Sequence, residues 1–177
     1  MHSQILLTSF DTWLPDQVSN SSDDLLERIS QLEDFPVSLS FLRKLPVDIA
    51  QASSRVIIKI EEMQPAAIIC CGLARKRLKL TVESGASCGD ALIKTALDLE
   101  KLVAGSVGTE ISHDAGKFVC EGLYYQVLKY LREHKFNSYC IFVHVPPLSA
   151  ANLPGIVADF SLIIQRVASF AKIQQTF

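Results

Sequence analysis

Ala66-Ala67-Ile68-Ile69-Cys70-Cys71 is apolar at every position, with no alternation between one face and the other. A strand of that kind is covered on both sides, as in a parallel sheet held between helices. The flanking sequence agrees. Upstream, Asp48 opens a helix through Ile49, Val56, Ile57 and Ile60 that stops near Gln64-Pro65. Downstream, residues 78–83 read as the next strand. Further out, Gln4–Phe10 is a short apolar run bounded by Asp11, and residues 37–45 form another, ended by Pro46. Between those two, Ser21-Ser22-Asp23-Asp24 supply an N-cap and an acidic first turn. The helix they start carries the stripe Leu25, Leu26, Ile29 and Leu32.

The second half continues the alternation. Residues 88–108 are ambiguous, with a helical composition over 90–102, and Thr109–Ser112 reads as a short strand. A helix is predicted over 115–134, with Val119, Leu123, Val127 and Leu131 at helical spacing. Residues 138–145 (SYCIFVHV) form a strand cut off by Pro146-Pro147, and 157–170 a closing amphipathic helix. Residues 1–177 therefore predict a single α/β domain: a three-layer α/β/α sandwich around a mainly parallel, mixed sheet of about five to six strands. In such sheets ligands collect beyond the carboxyl ends of the strands, so polar residues there matter most.

Composition narrows the function classes. At 177 residues, with 49% apolar and 20% charged residues, the chain can build one ordinary core. Lys and Arg number 17 against 19 Asp and Glu, a net charge of -2, which argues against a nucleic-acid partner. No apolar run approaches the roughly 20 residues of a bilayer span, so no membrane partner is expected. Met1-His2-Ser3-Gln4 has no basic region or cleavage site of a leader, and a cytoplasmic location is the expectation. The cysteines at 70, 71, 88, 120 and 140 are odd in number and lack zinc-ligand spacing. They read as reduced thiols, most of them core filler.

Three titratable residues fall near strand and helix ends. Glu83 closes the strand over 78–83, Cys120 sits early in the helix over 115–134, and His144 lies near the end of the strand over 138–145. A thiol near a helix N-terminus is biased toward thiolate, so a lowered Cys120 pKa is expected. An imidazole can pair with that thiolate, and a carboxylate on the other ring nitrogen can orient it. Spacing alone is weak here, since five Cys and four His offer several such triples. His113 and His134 read as exposed and without partners, and His2 lies near the terminus.

The local sequences are more specific. Ser112-His113-Asp114-Ala115-Gly116-Lys117-Phe118-Val119-Cys120 resembles the S-x-D-A-G-x-[YF]-[LV]-C segment of the pyroglutamyl peptidase I family of cysteine peptidases. Phe142-Val143-His144-Val145-Pro146 resembles that family's F-x-H-x-P strand. Ile5-Leu6-Leu7-Thr8-Ser9-Phe10-Asp11-Thr12-Trp13 is similar to its opening I-L-x-T-G-F-[DE]-P-F, and Asn20-Ser21-Ser22 to the N-P-S that follows. Leu45-Pro46-Val47, Cys71-Gly72-Leu73-Ala74 and Leu80-Thr81-Val82-Glu83 are similar to further family segments, all in family order. The resemblance implies Cys120 as nucleophile, His144 as general base and acid, and Glu83 as the group that orients His144. It implies an exopeptidase that removes N-terminal pyroglutamate from small peptides through a thioester, with no cofactor and no metal. Phe10, Trp13, Leu73 and Val119 would be the substrate-binding wall, and self-association as a dimer or tetramer is a further implication.

The chain also departs from the family pattern. Both glycines that should follow Trp13 are missing, Ser9 replaces another, and Trp13 stands where a phenylalanine packs on the lactam ring. The family's R-V-A-x-N after the glutamate is Ser84-Gly85-Ala86-Ser87-Cys88 here, and no arginine occurs between 78 and 131. The stretch between 88 and 110 is short. These changes spare the Cys, His and Glu and touch the pocket. Two other readings share the same residues: a non-catalytic homologue that binds a peptide N-terminus or small lactam, and a hydrolase of another small acyl amide.

Overall fold

The computed structural model describes residues 4–174; the terminal His2 lies outside them. In chain order the elements are β1 (Gln4–Phe10), α1 (Ser21–Ser30), β2 (Ser38–Leu45), α2 (Ile49–Met63), β3 (Ala67–Leu73) and β4 (Leu80–Glu83). There follow β5 (Gly85–Cys88), β6 (Ala91–Lys94), α3 (Leu99–Val103), β7 (Thr109–Ser112), α4 (Val119–Glu133), β8 (Tyr139–Val145) and α5 (Leu153–Gln174). Six strands form one sheet in the order β2-β1-β3-β8-β4-β7, and β5 pairs with β6 as a separate hairpin. The first four of these strands are mutually parallel, whereas β4 runs against β8 and pairs in parallel with β7. The sheet is thus mixed and mostly parallel, as predicted.

Two cores flank it, which makes the sandwich three-layered. On one side Leu25, Leu26 and Ile29 of α1, Leu102 of α3 and Phe160, Ile164 and Val167 of α5 cover the sheet. On the other, Val56 and Ile60 of α2 and Leu123, Tyr124 and Val127 of α4 do so, with Ala86 and Ile93 of the hairpin. Along β3 the residues divide between these cores, Ile69 and Cys71 to the first, Ile68 and Cys70 to the second. All four are fully buried, which is why that strand has no polar position.

Several boundaries moved for identifiable reasons. The cap of α1 is Asn20, whose side chain accepts from the Ser22 amide, so Ser21 is the first helical residue. Leu32 falls beyond the helix and is exposed. Leu78 is also exposed, and β4 begins only at Leu80. Residues 90–102 are not one helix. The hairpin pairs Cys88 with Ala91 around a Gly89-Asp90 turn, where Gly89 takes φ +58, and the helix is confined to α3, capped by Asp98. Similarly, α4 starts at Val119 because Gly116 adopts φ +89 in a turn closed by the Asp114 carboxylate. Finally, α5 is long and apolar enough to cross a membrane by length and composition, contrary to the expectation from uninterrupted runs. Its apolar face is spent on the sheet, with Phe160, Ile163, Ile164 and Val167 buried.

Candidate active site

Residues opposite one another on neighbouring strands present their side chains to the same face. His144 has Gly72 of β3 on one side and Thr81 of β4 on the other, and Glu83 is opposite Phe142. Thr81, Glu83, Phe142 and His144 therefore all face the α4 layer. The reversal of β4 decides the depth. Had β4 been parallel to β8, its carboxyl end would have lain at the rim with His144. Running the other way, it carries Glu83 beneath His144, where the side chain is fully buried.

The contacts follow from that placement. His144 Nδ1 lies 2.7 Å from Glu83 Oε1. Arg77, from the turn between β3 and β4, donates through Nη1 to the same oxygen at 2.5 Å and also to Thr81 Oγ1. Its Nη2 donates to the Asp114 carbonyl at 2.7 Å, tying the segment before α4 to the carboxylate. The Tyr124 hydroxyl donates to the Glu83 carbonyl at 3.1 Å. Glu83 Oε2 has no partner among the described residues. With Nδ1–H directed at Glu83, the free nitrogen of His144 is Nε2, the atom able to take a proton.

Cys120 is the second residue of α4, and Phe118, the N-cap, gives no side-chain cap bond. The first-turn N–H groups thus lack a side-chain cap. Gly72 lies directly under the sulfur: a methyl group at that position would sit 2.6 Å from Cys120 Sγ. As Gly72 is the register partner of His144, sulfur and imidazole are brought over adjacent strands. The electrostatics reverse the expectation from the helix terminus. Burial, and then the Glu83 charge, push the Cys120 thiol up to about 12, with Arg77 pulling the other way and losing. At neutral pH Cys120 is a thiol. Burial likewise raises Cys71 and Cys140, whereas Cys88 is exposed, and all five cysteines are free.

A cavity of about 180 Å³ opens on Cys120. Phe10, Trp13, Leu73 and Val119, the four wall residues expected from sequence, all line it. Asn20, Val47, Arg75 and Phe118 complete the wall and were missed. Trp13 and Phe118 face each other with ring centroids 5.1 Å apart, forming a half-exposed aromatic lip. Phe10 is buried and forms the inner wall. Ser9 sits where β1 and β2 shift register; its hydroxyl donates to Asp23 at 2.6 Å and accepts from the Lys44 amide at 3.2 Å. A polar side chain at that bend is therefore hydrogen-bonded and leaves the cavity open.

An arginine does reach the site, from before Glu83 in the chain rather than after it. The cue was the Arg75-Lys76-Arg77 cluster just past the carboxyl end of β3. His113 and His134 are exposed but not partnerless. His113 Nδ1 lies 2.8 Å from Ser84 Oγ, and His134 Nδ1 lies 3.0 Å from the Tyr130 carbonyl. Among the described residues no group of three His, Cys, Asp or Glu side chains could hold a metal ion.

Known proteins place this geometry in context. The Pyroglutamyl peptidase family model matches residues 93–168, a span that holds Cys120 and His144 but not Glu83. A pyrrolidone-carboxylate peptidase of Thermoanaerobacter sp. (strain X514) is 26% identical over 85% of this chain and 87% of its own length. One from Lactobacillus acidophilus is 28% identical over 90% of this chain and 91% of its own length. The fold is that of the crystal structure of Bacillus amyloliquefaciens pyroglutamyl peptidase I, with a TM-score of 0.83 and 21% identity, covering 94% of this chain and 97% of that one. The pyrrolidone carboxyl peptidase of Thermococcus litoralis gives a TM-score of 0.80 at 18% identity, covering 98% of this chain and 96% of that one.

Proposed function

A divergent relative of the pyroglutamyl peptidases, this chain is, we propose, a cysteine omega-peptidase that releases pyroglutamate from the N-terminus of small peptides. The observation that carries the reading is the coincidence of one cavity with a thiol and a carboxylate-bound imidazole. The sulfur of Cys120 opens on an apolar pocket, and the imidazole held by Glu83 lies over the neighbouring strand position.

The pocket chemistry suits a neutral lactam. Phe10, Trp13, Phe118 and Val119 offer apolar contact to a flat five-membered ring. A peptide beginning with Glu or Gln would bring a charged amine into this lining, at a cost of several kcal/mol. Selection for a cyclised, uncharged terminus follows from that cost.

Cys120 attacks the carbonyl beyond the ring. Because its thiol is held up at about 12, His144 Nε2 takes the thiol proton as the carbon–sulfur bond forms. Glu83 supports the imidazolium so produced and does not itself take the proton. His144 then passes the proton to the leaving amine, the carbon–nitrogen bond breaks, and a thioester remains. Water, deprotonated by His144, clears the thioester and restores the thiol. The uncapped N–H groups of the first turn of α4 are suited to the oxyanion.

Purified protein incubated with a fluorogenic pyroglutamyl amide, beside prolyl and alanyl amides, tests this reading. Release from the pyroglutamyl compound alone is expected. No release from it would overturn the proposal. A non-catalytic binding role is not favoured, since the Cys120 thiol opens on the pocket and the paired His144 and Glu83 side chains sit on the neighbouring strands.

A further inference from the structure

Among the described residues Arg75 is the one charged side chain lining the cavity over Cys120; it is exposed, and its guanidinium has no hydrogen bond or ion pair with any of them. Its neighbour two residues on behaves differently, for both terminal nitrogens of Arg77 are engaged, by Glu83, Thr81 and the Asp114 carbonyl. Arg75 also lines a second, more open groove of about 420 Å³, which it shares with Leu73 of the first cavity. Leu73 and Arg75 thus form a common wall between the space over the sulfur and the groove beside it. Gln17, Ser19, Ser21, Asp24, Pro147 and Leu148 complete that groove.

A free guanidinium on this wall asks what charge it meets. The lactam ring carries no charge, and its one carbonyl offers a guanidinium a single neutral acceptor and no ion pair. Asp24, the groove's own carboxylate, accepts instead from the Ser19 hydroxyl at 2.6 Å and makes no pair with Arg75. The part of a substrate that extends past the scissile bond is the leaving residue, and its nearest ionised group is a carboxylate. Arginine presents several donors in a planar fork that matches a carboxylate with two parallel hydrogen bonds.

We infer that Arg75 is a specificity determinant that selects substrates carrying a carboxylate on the leaving residue. The inference rests on the peptidase reading and deepens it by naming the substrate class: pyroglutamyl dipeptides with a free C-terminus, or peptides with an acidic residue following the pyroglutamate. Arg75 acts on the leaving side, so it alters preference among pyroglutamyl compounds and not the requirement for the ring.

The experiment compares kcat/KM for pyroglutamyl-alanine, its C-terminal amide, and pyroglutamyl-aspartate amidated at the α-carboxyl, in wild type, Arg75→Gln and Arg75→Lys. The wild type should cleave at least one acidic compound about threefold to fivefold better than the alanine amide, the scale of one charge-assisted contact at an exposed arginine. Which of the two is favoured identifies the carboxylate. Arg75→Gln should bring that ratio near one, Arg75→Lys should retain much of it, and added salt should shrink it. Equal rates on all three compounds in the wild type, or a ratio untouched by Arg75→Gln, would overturn the inference while leaving the peptidase standing. Failure to cleave any pyroglutamyl compound, the fluorogenic amide included, would overturn the peptidase reading and the inference with it.

Discussion

Gly72 and Cys120 are in such close apposition that a single methyl group cannot fit between them. A Cβ at residue 72 would lie 2.6 Å from Cys120 Sγ and 2.9 Å from Phe142 Cζ. The strand floor under the sulfur is bare backbone, and the thiol rests where a side chain would otherwise be. Gly72→Ala should therefore displace Cys120 from His144 and lower kcat by about tenfold or more, with a stability loss of about 1–3 kcal/mol from overpacking. Steady-state kinetics with a urea melt checks it. Unchanged kcat would mean the sulfur works from another position.

Cys120→Ala and His144→Ala should each reduce kcat by about a thousandfold or more, and the double variant by little beyond either single one, because in the proposed mechanism the two groups act as a unit. Additive losses would separate their roles.

Glu83→Gln should fold and lose less activity than Cys120→Ala, because in the proposed mechanism Glu83 acts only through the imidazole. Arg77 has the complementary role. Arg77→Met removes the donor shared by Glu83 Oε1, Thr81 and the Asp114 carbonyl and leaves the carboxylate with His144 alone. Breaking a fully buried pair costs about 3–5 kcal/mol, and since Arg77 is partly exposed the loss here should be smaller, about 2 kcal/mol. Thermal melts of both variants beside their kcat values distinguish support of the fold from support of the imidazole.

Thiol reactivity should follow exposure and not the helix terminus. Cys88 is exposed, and the Cys120 thiol is pushed up to about 12 by burial and Glu83, so iodoacetamide near pH 7 should label Cys88 first. Labelling of Cys120 should keep rising above pH 9 and not level off near neutrality. Peptide mapping over time reads both, and a plateau below pH 8 at Cys120 would show a preformed thiolate.

The same shift has a consequence for stability. Cys120, Cys71 and Cys140 all titrate higher when folded than the usual thiol value of 9.0, while Cys70, hydrogen-bonded by Cys140, shifts the other way and offsets part of the effect. Between pH 9 and about 12 the unfolded chain has given up protons that the folded chain keeps, so stability present below pH 9 is lost as pH rises through that window. Urea midpoints should fall from pH 9 to 11, and Cys120→Ser should lessen the fall. A flat profile would contradict it.

Much of this was legible in the chain. The unbroken apolar run of β3 announced a strand between two cores, and both cores are there. Glu83, Cys120 and His144 could be named because each stands in a segment with recognisable neighbours, and Phe10, Trp13, Leu73 and Val119 line one cavity with Cys120. The hairpin was hidden because Ala91-Leu92-Ile93-Lys94 has the composition of a helix, and only Gly89 at positive φ marks the turn. The thiol's behaviour was hidden for another reason. A helix terminus is visible in sequence, whereas burial beside a carboxylate from a reversed strand is a property of the packed molecule. Arg75 and Arg77 lie two residues apart, yet one is committed to Glu83 and the other faces the cavity, a division that spacing does not encode.

The reversal of β4 also sets which parts of the gene can tolerate insertions and deletions. Residues 74–79 link β3 to β4 and hold Arg77, so they measure out both the strand's register against β8 and the arginine's reach to Glu83. Adding or removing one residue there in a way that slips the pairing would turn Glu83 to the opposite face and bring Val82 or Ser84 beneath His144. Beyond Glu83 the chain has already left the imidazole, and the hairpin and α3 can be trimmed or extended without changing that register. Length variation among descendants of this sequence should therefore collect after residue 84 and be nearly absent between residues 74 and 79.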